Sequence, residues 1–438
     1  MRFGHLLKRL IAPVLPRDYR AAARSFAPDA WRYLTASGLI HVGFGVLGTV
    51  FAIYLKDAGM SEAVVGDVEG ALALAGAVTC LALPPLVARI GYKRLIVIGA
   101  LALALSRLGQ AFAPAAIVVI ALGLLYGVGE GVTQMLGVAF LSEAAPARAR
   151  THLFTVDYVL RVLAMFVGAL LGGFVPGILI SAGVAELTAY RVAIVMGAAF
   201  MASAVLPARR IERVRPADAP LSYRAAIRGF RSWNRLWRLL VPESTIAFGA
   251  ALSMPFVALF LKHQLGASVQ DVGVIQAVSS LCMAAAAFGS PFLARRIGLV
   301  GTVVVTELLS LPFLIAVPLA TSLPAAAVLL WIRGTLMNMS WPVYNQLATE
   351  GVPPADRALV VGWVRFGWSI AWLGGSVIGG RLMERSYLLP WYLTAGFYAI
   401  GAAATFLLLR RVRTEAERTE SPTAPLPAVD AEARETAG

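Results

Sequence analysis

Residues 84–91 read PPLVARIG, and residues 291–298 read PFLARRIG. The two octets share Pro, Leu, Arg, Ile and Gly in register, at a spacing of 207. Other anchors keep the same offset. Glu143, Pro146 and Arg150 recur as Glu350, Pro353 and Arg357, and GALLGG (168–173) recurs as GSVIGG (375–380). Near the start the offset drifts only slightly. YRAAARSF from Tyr19 returns as YRAAIRGF from Tyr223, Trp31–Arg32 as Trp237–Arg238, and the YLK ending at Lys56 as the FLK ending at Lys262. An offset that survives this many anchors describes a chain made of two copies of one unit.

What each copy builds follows from composition. Of 438 residues, 59% are hydrophobic and 14% charged, against the ~25% charge of soluble domains. Apolar runs of bilayer-crossing length, ~20 residues, recur near 33–55, 64–86, 94–113, 115–141, 152–181 and 187–206. A second set lies near 240–262, 269–292, 299–320, 324–346, 357–382 and 388–410. Lipid cannot satisfy open backbone groups, so these runs are expected to be helices. Their length and lack of alternation exclude a membrane β-barrel. The sequence therefore predicts an all-α polytopic membrane protein of twelve transmembrane helices in two six-helix, pseudo-symmetric halves. Its divisions are a cytoplasmic amphipathic segment (1–32), a first half (33–206), a basic connector (207–239), a second half (240–412) and a disordered tail (413–438).

The formal charge of +14 is a topology signal rather than a nucleic-acid footprint. Arginines and lysines crowd alternate loops: Arg89, Lys93 and Arg94; Arg148 and Arg150; the connector; Arg295 and Arg296; Arg357; and Arg410, Arg411 and Arg413. Cations mark the cytoplasmic side, so both termini are expected there, with a bacterial inner membrane as the setting. The arginines at 224, 228, 231, 235 and 238 fall on one helical face, as expected of a basic helix lying on the membrane surface. The start, MRFGHLLKRL, is too interrupted by charge for a secretory signal. Cys80 and Cys282 lie within apolar runs and have no metal-ligand spacing, so no metal or cofactor is expected. Gly127-x-Gly129 lacks the strand–turn–helix context of a nucleotide loop, and no nucleophile has a base nearby, so an enzyme is not expected.

Two parallel repeats typify a large class of transporter, with substrate bound between the halves. At the quoted octet the chain resembles the major facilitator superfamily, whose loop between helices 2 and 3 reads roughly G-x-x-x-D-R-x-G-R-R. Here that loop is Pro84-x-x-x-Ala88-Arg89-Ile90-Gly91-Tyr92-Lys93-Arg94, and its copy is Pro291-x-x-x-Arg295-Arg296-Ile297-Gly298. Arg89, Gly91, the basic pair Lys93–Arg94, Arg296 and Gly298 carry over, whereas the acid is Ala88 or Arg295. The resemblance implies a gate in which Glu143 pairs with Arg89 and Glu350 with Arg296, flanked by Arg150 and Arg357. Read alone, both acids are equally solvated helix ends. The drug-antiporter run G-x-x-x-G-P is incomplete, because Gly173 stands where the proline belongs.

The resemblance also implies that helices 1, 4, 7 and 10 line the cavity. That singles out His41, Glu130 and Arg333, since an ionisable residue at the bilayer centre costs at least ~2.5–3.5 kcal/mol and is functional by default. Gln134 lies one turn beyond Glu130. Arg333 is followed by Met337, Asn338, Trp341, Tyr344 and Asn345, a set suited to an organic substrate. Two readings of Glu130 stand: a proton carrier, or the partner of Arg107 or Arg161. Asp157 and Arg161, one turn apart, are expected to pair within helix 5, as are Glu307 and Arg365 in the second half. The expected protein is a monomeric secondary transporter of a small organic solute, coupled to protons and leaning to efflux of drug-like compounds. Uptake of a sugar or organic acid, or a non-transporting sensor of the same fold, are the alternatives.

Overall fold

The computed structural model describes residues 25–113, 115–144, 147–212, 227–350 and 352–410. The tail from 413 and the copy of the lead-in up to Arg24 lie outside them. The first half is α1 (Pro28–Asp57), α2 (Glu62–Ile90), α3 (Tyr92–Phe112), α4 (Ala116–Glu143), α5 (Ala147–Ser181) and α6 (Glu186–Ser203). In the second half, α7 (Trp233–Ser253) and α8 (Val257–Leu265) form one pass, broken by a 3-10 turn at Met254–Phe256. Pro255 supplies the break, because it cannot donate the helical hydrogen bond. Then come α9 (Val269–Ala316), α10 (Leu323–Thr349), α11 (Pro354–Met383) and α12 (Leu389–Leu409). The long α9 is two passes, kinked where Gly298 takes φ 75° and ψ 171°.

That kink is the structural counterpart of the quoted octets. Gly91, between α2 and α3, takes φ 83° and ψ 161°, nearly the same backbone as Gly298 207 residues later. Positive φ strains any side chain with a Cβ, so both copies of the octet must end in glycine. The two halves also pack alike. α1 meets α5 and α6 as α7 meets α11 and α12, and α2 meets α4 as the first arm of α9 meets α10.

Among the described residues, ten helical segments are apolar and long enough to cross a membrane by length and composition alone. α10 and α11 are not among them, although they have 27 and 30 residues. They are diluted by Arg333, Asn338, Ser340 and Asn345, and by Arg357 and Arg365. The loops rich in arginine all lie at one end of the bundle, here termed the basic face; the other end is the far face.

The expected surface helix through the connector is not continuous. Residues 213–226 lie outside the described set, and the chain leaves the helix at 229–232 before α7 begins at Trp233. Asp356 of α11 explains the restart, accepting from the Arg231 backbone N–H at 3.1 Å and the Ser232 hydroxyl at 2.6 Å. Arg235 and Arg238 thus sit in the first turns of a membrane pass. Arg235 donates to the Leu347 carbonyl of α10 at 2.7 Å.

Candidate functional site

Glycines bring the halves together. A Cβ on Gly66 of α2 would strike the Ser376 carbonyl of α11, and one on Gly380 would strike Glu62 and Ala63 of α2. The pseudo-symmetric contact sets Gly173 of α5 against Gly273 of α9. Without a hydrophobic drive between helices in lipid, such small-residue contacts supply the close packing. Gly168, Gly172, Gly375 and Gly379 face their own half instead, against α1 or α7. GALLGG and GSVIGG therefore serve two faces: their first and fifth residues pack within a half, and the last packs across.

Polar contacts close the far face around these crossings. Lys262, at the end of α8, reaches Asp57 at 2.6 Å, Glu186 at 3.3 Å and the Tyr190 hydroxyl at 2.7 Å, all in the first half. Arg381 reaches Asp67 at 2.8 Å, Tyr387 donates to Glu62, and Glu384 accepts from the Ala63 N–H at 3.3 Å. Four ion-pair contacts, from Lys262, His263 and Arg381 to Asp57, Glu186 and Asp67, thus cross between the halves at this end. Lys262 and Asp57 are largely buried, at 16% and 18% side-chain exposure, so their charge-assisted bond contributes about 1.5–3 kcal/mol to closure. Lys262→Ala will shift the protein toward far-face opening about tenfold or more, read by spin-label distances between α1 and α8. Exchanging the charges, Lys262→Asp with Asp57→Lys, will restore closure; a pair no better than the single variant rules out this latch.

Between the halves, on the basic side of the latch, lies a cavity of about 550 Å³. Its first-half wall carries Glu69 of α2, Arg107 of α3, and Tyr126, Glu130 and Gln134 of α4. Glu130 is thirteen residues from the end of α4, or ~20 Å along the helix. Arg107 is 4% exposed. Its guanidinium lies between the rings of Phe51 and Tyr126, 3.8 Å from each centroid, and donates to Gln110 at 2.9 Å. It is within electrostatic reach of both Glu69 and Glu130. The opposite wall is aromatic. Trp341 of α10 meets Trp368 of α11 edge to face at 5.2 Å, and Trp368 stacks on Trp372, one turn on, at 6.0 Å. Arg365 stands 5.4 Å from the Trp341 ring and acts across the cavity on Glu130. Gln134 and Trp341, toward the basic face, are exposed.

Of the pathway residues expected from sequence, Glu130, Gln134 and Trp341 line this cavity, and His41, Arg333, Asn338, Tyr344 and Asn345 do not. His41 is buried beside a small void with Tyr33, Ser37 and Thr133, its Nδ1 2.7 Å from the Ser37 carbonyl. Arg333 turns into its own half, donating to the Tyr398 hydroxyl at 2.5 Å and the Met254 sulfur at 2.8 Å. Asn338 donates back to the Gly334 carbonyl at 2.7 Å, Tyr344 donates to the Leu239 carbonyl at 2.5 Å, and Asn345 is exposed elsewhere. These groups found partners inside the half, where lipid offers none. Arg161 pairs with Asp157 at 2.8 Å as expected, which removes it as a partner for Glu130. Arg365 does not pair with Glu307, because the two face different surroundings. Sequence reading passed over Glu69 and the Trp368–Trp372 turn. An acid within an apolar run was the available signal for Glu69.

The expected gate residues gather at the basic face. Arg89 ends α2, Lys93 and Arg94 begin α3, and Arg150 lies in the first turns of α5. Glu143 closes α4, but its side chain lies outside those described. Arg296 lies over the Phe292 ring at 4.5 Å, Glu350 follows α10, and Arg357 donates to the Val352 carbonyl at 3.0 Å.

A two-half bundle with a central cavity, closed at one end by pseudo-symmetric helix pairs, is a transporter architecture, and sequence comparison identifies which. The profile of the Major Facilitator Superfamily matches residues 33–246 and again 243–434. The chain belongs to this superfamily. No curated protein matches its sequence. Among solved structures, this facilitator resembles a point mutant of the nucleoside transporter NupG, with a TM-score of 0.72 and 16% identity over 87% of this chain and 99% of that one. It also resembles a bacterial homolog of the human lysosomal transporter Spinster, inward-facing and unoccupied, with a TM-score of 0.72 and 17% identity over 91% and 98%. A D-xylose–proton symporter is similar too, with a TM-score of 0.68 and 14% identity over 86% and 97%. At these identities the likeness concerns the fold. Membership makes the chain an integral membrane transporter of small molecules.

Proposed function

We propose that this facilitator is a proton-coupled secondary transporter of a planar, amphipathic organic solute, working in the direction of efflux. The observation that carries the reading is the contrast between the cavity walls: three tryptophans on one side, and Glu69, Arg107 and Glu130 on the other. Aromatic faces bind flat rings and organic cations, while the half-buried carboxylates offer a negative partner to a cationic group. Glu130 is the proton carrier in this scheme. A proton on Glu130 releases its attraction for Arg365 across the cavity and for the cationic part of the solute, so protonation and solute binding compete. The basic face is assigned to the cytoplasm of a bacterial inner membrane by the positive-inside rule, which makes the described state inward-open. In the opposite state, Glu143 with Arg89 and Glu350 with Arg296 close the basic face. The working unit is a monomer, since both cavity walls come from one chain.

Gln134 and Gln276, also in the lining, support a second reading, in which a hydroxyl-rich solute such as a sugar stacks on the tryptophans and moves inward. Ethidium, a planar aromatic cation, separates the two. Proteoliposomes with an imposed proton gradient will drive ethidium flux, and Glu130→Gln will lower that flux at least tenfold and remove its dependence on the gradient. Flux of sugars but not of ethidium favours the second reading; no gradient-driven flux of either ends the proton-coupled one.

A further inference from the structure

Arg365 of α11 is a deep cation that the protein leaves unbonded. It lies eleven residues in from Pro354, ~16 Å from the basic-face end of its helix at 1.5 Å per residue. A charge at such depth is costly, and arginines deep in other passes offset that cost with hydrogen bonds. Arg107 donates to Gln110, Arg161 pairs with Asp157, and Arg333 donates to Tyr398. Among the described residues, the Arg365 guanidinium makes no hydrogen bond and no ion pair. It stands 5.4 Å from the Trp341 ring and lines the cavity.

Helical spacing sets these free donors beside the rings. Arg365, Trp368, Ser369 and Trp372 fall at i, i+3, i+4 and i+7, so they share one face of α11. All four line the cavity, and Trp341 of α10 completes the corner, edge to face with Trp368. The repeat does not require a cation here. Position 158, 207 residues earlier, is Tyr158, whose hydroxyl donates to the Met283 carbonyl at 3.3 Å.

The charges around the cavity are divided unevenly between its walls. Four lining residues are charged: Glu69, Arg107 and Glu130 on the first-half wall, and Arg365 on the other. Arg107 is held between Phe51 and Tyr126 and cannot leave its wall without losing both rings. One net negative charge on the first-half wall therefore faces one positive charge on the second. Glu130, ~20 Å from the basic face, stands at nearly the depth of Arg365 and feels its charge without forming an ion pair with it. Glu243 of α7 also feels Arg365, yet it is 8% exposed and lies outside the cavity lining. A guanidinium presents its N–H groups as a flat fork that matches a carboxylate. With no protein acceptor in place, that fork is open to the solute.

We infer that Arg365 anchors an anionic group of the solute, which makes the solute an aromatic zwitterion. Its ring lies on Trp368 and Trp372, its carboxylate meets Arg365, and its cationic group points toward Glu130. The inference rests on the reading of the cavity as a site for a flat, cationic solute, and it adds the anion that ethidium lacks. Three indoles test it by isothermal titration calorimetry on the purified protein at neutral pH. Tryptophan carries both charges, tryptamine the cation alone, and indole-3-propionate the anion alone. Tryptophan will bind about tenfold or more tighter than either analogue, as a charge-assisted contact to each wall requires. In Arg365→Leu the advantage of tryptophan over tryptamine will vanish. Arg365→Lys, which keeps the charge without the fork, will restore part of it. Wild-type protein that binds tryptophan no better than tryptamine overturns the inference, and that comparison needs no variant. So does an advantage that persists in Arg365→Leu, which would place the carboxylate on another group. Equal binding of tryptophan and tryptamine beside gradient-driven ethidium flux fails the zwitterion alone. An Arg365-dependent preference for tryptophan without gradient-driven ethidium flux fails the proton-coupled reading alone.

Discussion

Gly380→Val will leave this facilitator unable to close its far face. The glycine lies against the backbone of Glu62 and Ala63 on α2, and a Cβ there meets a carbonyl oxygen and a Cα rather than a movable side chain. Overpacking of a tight contact costs ~1–3 kcal/mol, which lowers the far-face-closed population about tenfold to a hundredfold. Cys80 lines the cavity, so with Cys282 changed to Ser it reports access as a single thiol. In the wild type, a membrane-impermeant thiol reagent will label Cys80 from the basic face. In Gly380→Val, labelling from the far face will rise at least tenfold and gradient-driven flux will fall to background. Gly396→Val is the control, since a Cβ at Gly396 meets nothing within 4 Å. Unchanged labelling in Gly380→Val means that the glycine crossing does not govern closure.

The pseudo-symmetric contact at Gly173 and Gly273 carries the same load on the other side of the bundle. This distinguishes a hinge from static packing. Gly168 and Gly172 hold α5 to α1, which travel together as one half, whereas Gly173 must separate from Gly273 when the far face opens. Valine at Gly172 is therefore expected to destabilise the fold, and valine at Gly173 to bias the state.

The fold was legible in sequence because it depends on quantities that a sequence states directly. Run length gave the passes, the arginine distribution gave the two faces, and the 207-residue offset gave the two halves, down to the matched backbone at Gly91 and Gly298. Much of the site was not. Arg333 and Tyr344 lie on a helix that lines the cavity, yet each turned toward a partner in its own half, Tyr398 and the Leu239 carbonyl. Which side of a helix faces water and which faces a neighbour depends on rotation about its axis. In a bundle polar on several sides, the hydrophobic pattern does not fix that rotation. Conversely, Trp368 and Trp372 carry no sequence signal of their own and gain meaning only with their helix placed opposite Glu130. Basic residues before α7 suggested a surface helix because their spacing fits one, but the Asp356 carboxylate caps the chain at Ser232 and restarts it as a pass.

Arg107→Leu will cost the protein both stability and transport. Its guanidinium is covered on both faces by Phe51 and Tyr126 at 3.8 Å, its edge is held by Gln110, and Glu69 and Glu130 lie within its field. Removing one partner of a buried charge cluster typically costs ~3–5 kcal/mol, because the other charges are left unanswered. The apparent Tm in detergent will fall by several degrees or more, and ethidium flux will drop at least tenfold. Arg107→Lys will recover part of the stability. A lysine restores the charge, but it lacks a flat group to fill the space between two rings. The decisive variant is Arg107→Leu combined with Glu69→Gln. If the arginine acts by neutralising the acids, removing one acid will recover at least half of the lost thermal stability while transport stays low, because Glu130 keeps Arg365 but still lacks Arg107. If the double variant is no more stable than Arg107→Leu, the arginine is held there for packing against Phe51 and Tyr126, and the charge balance assigned to this wall is wrong.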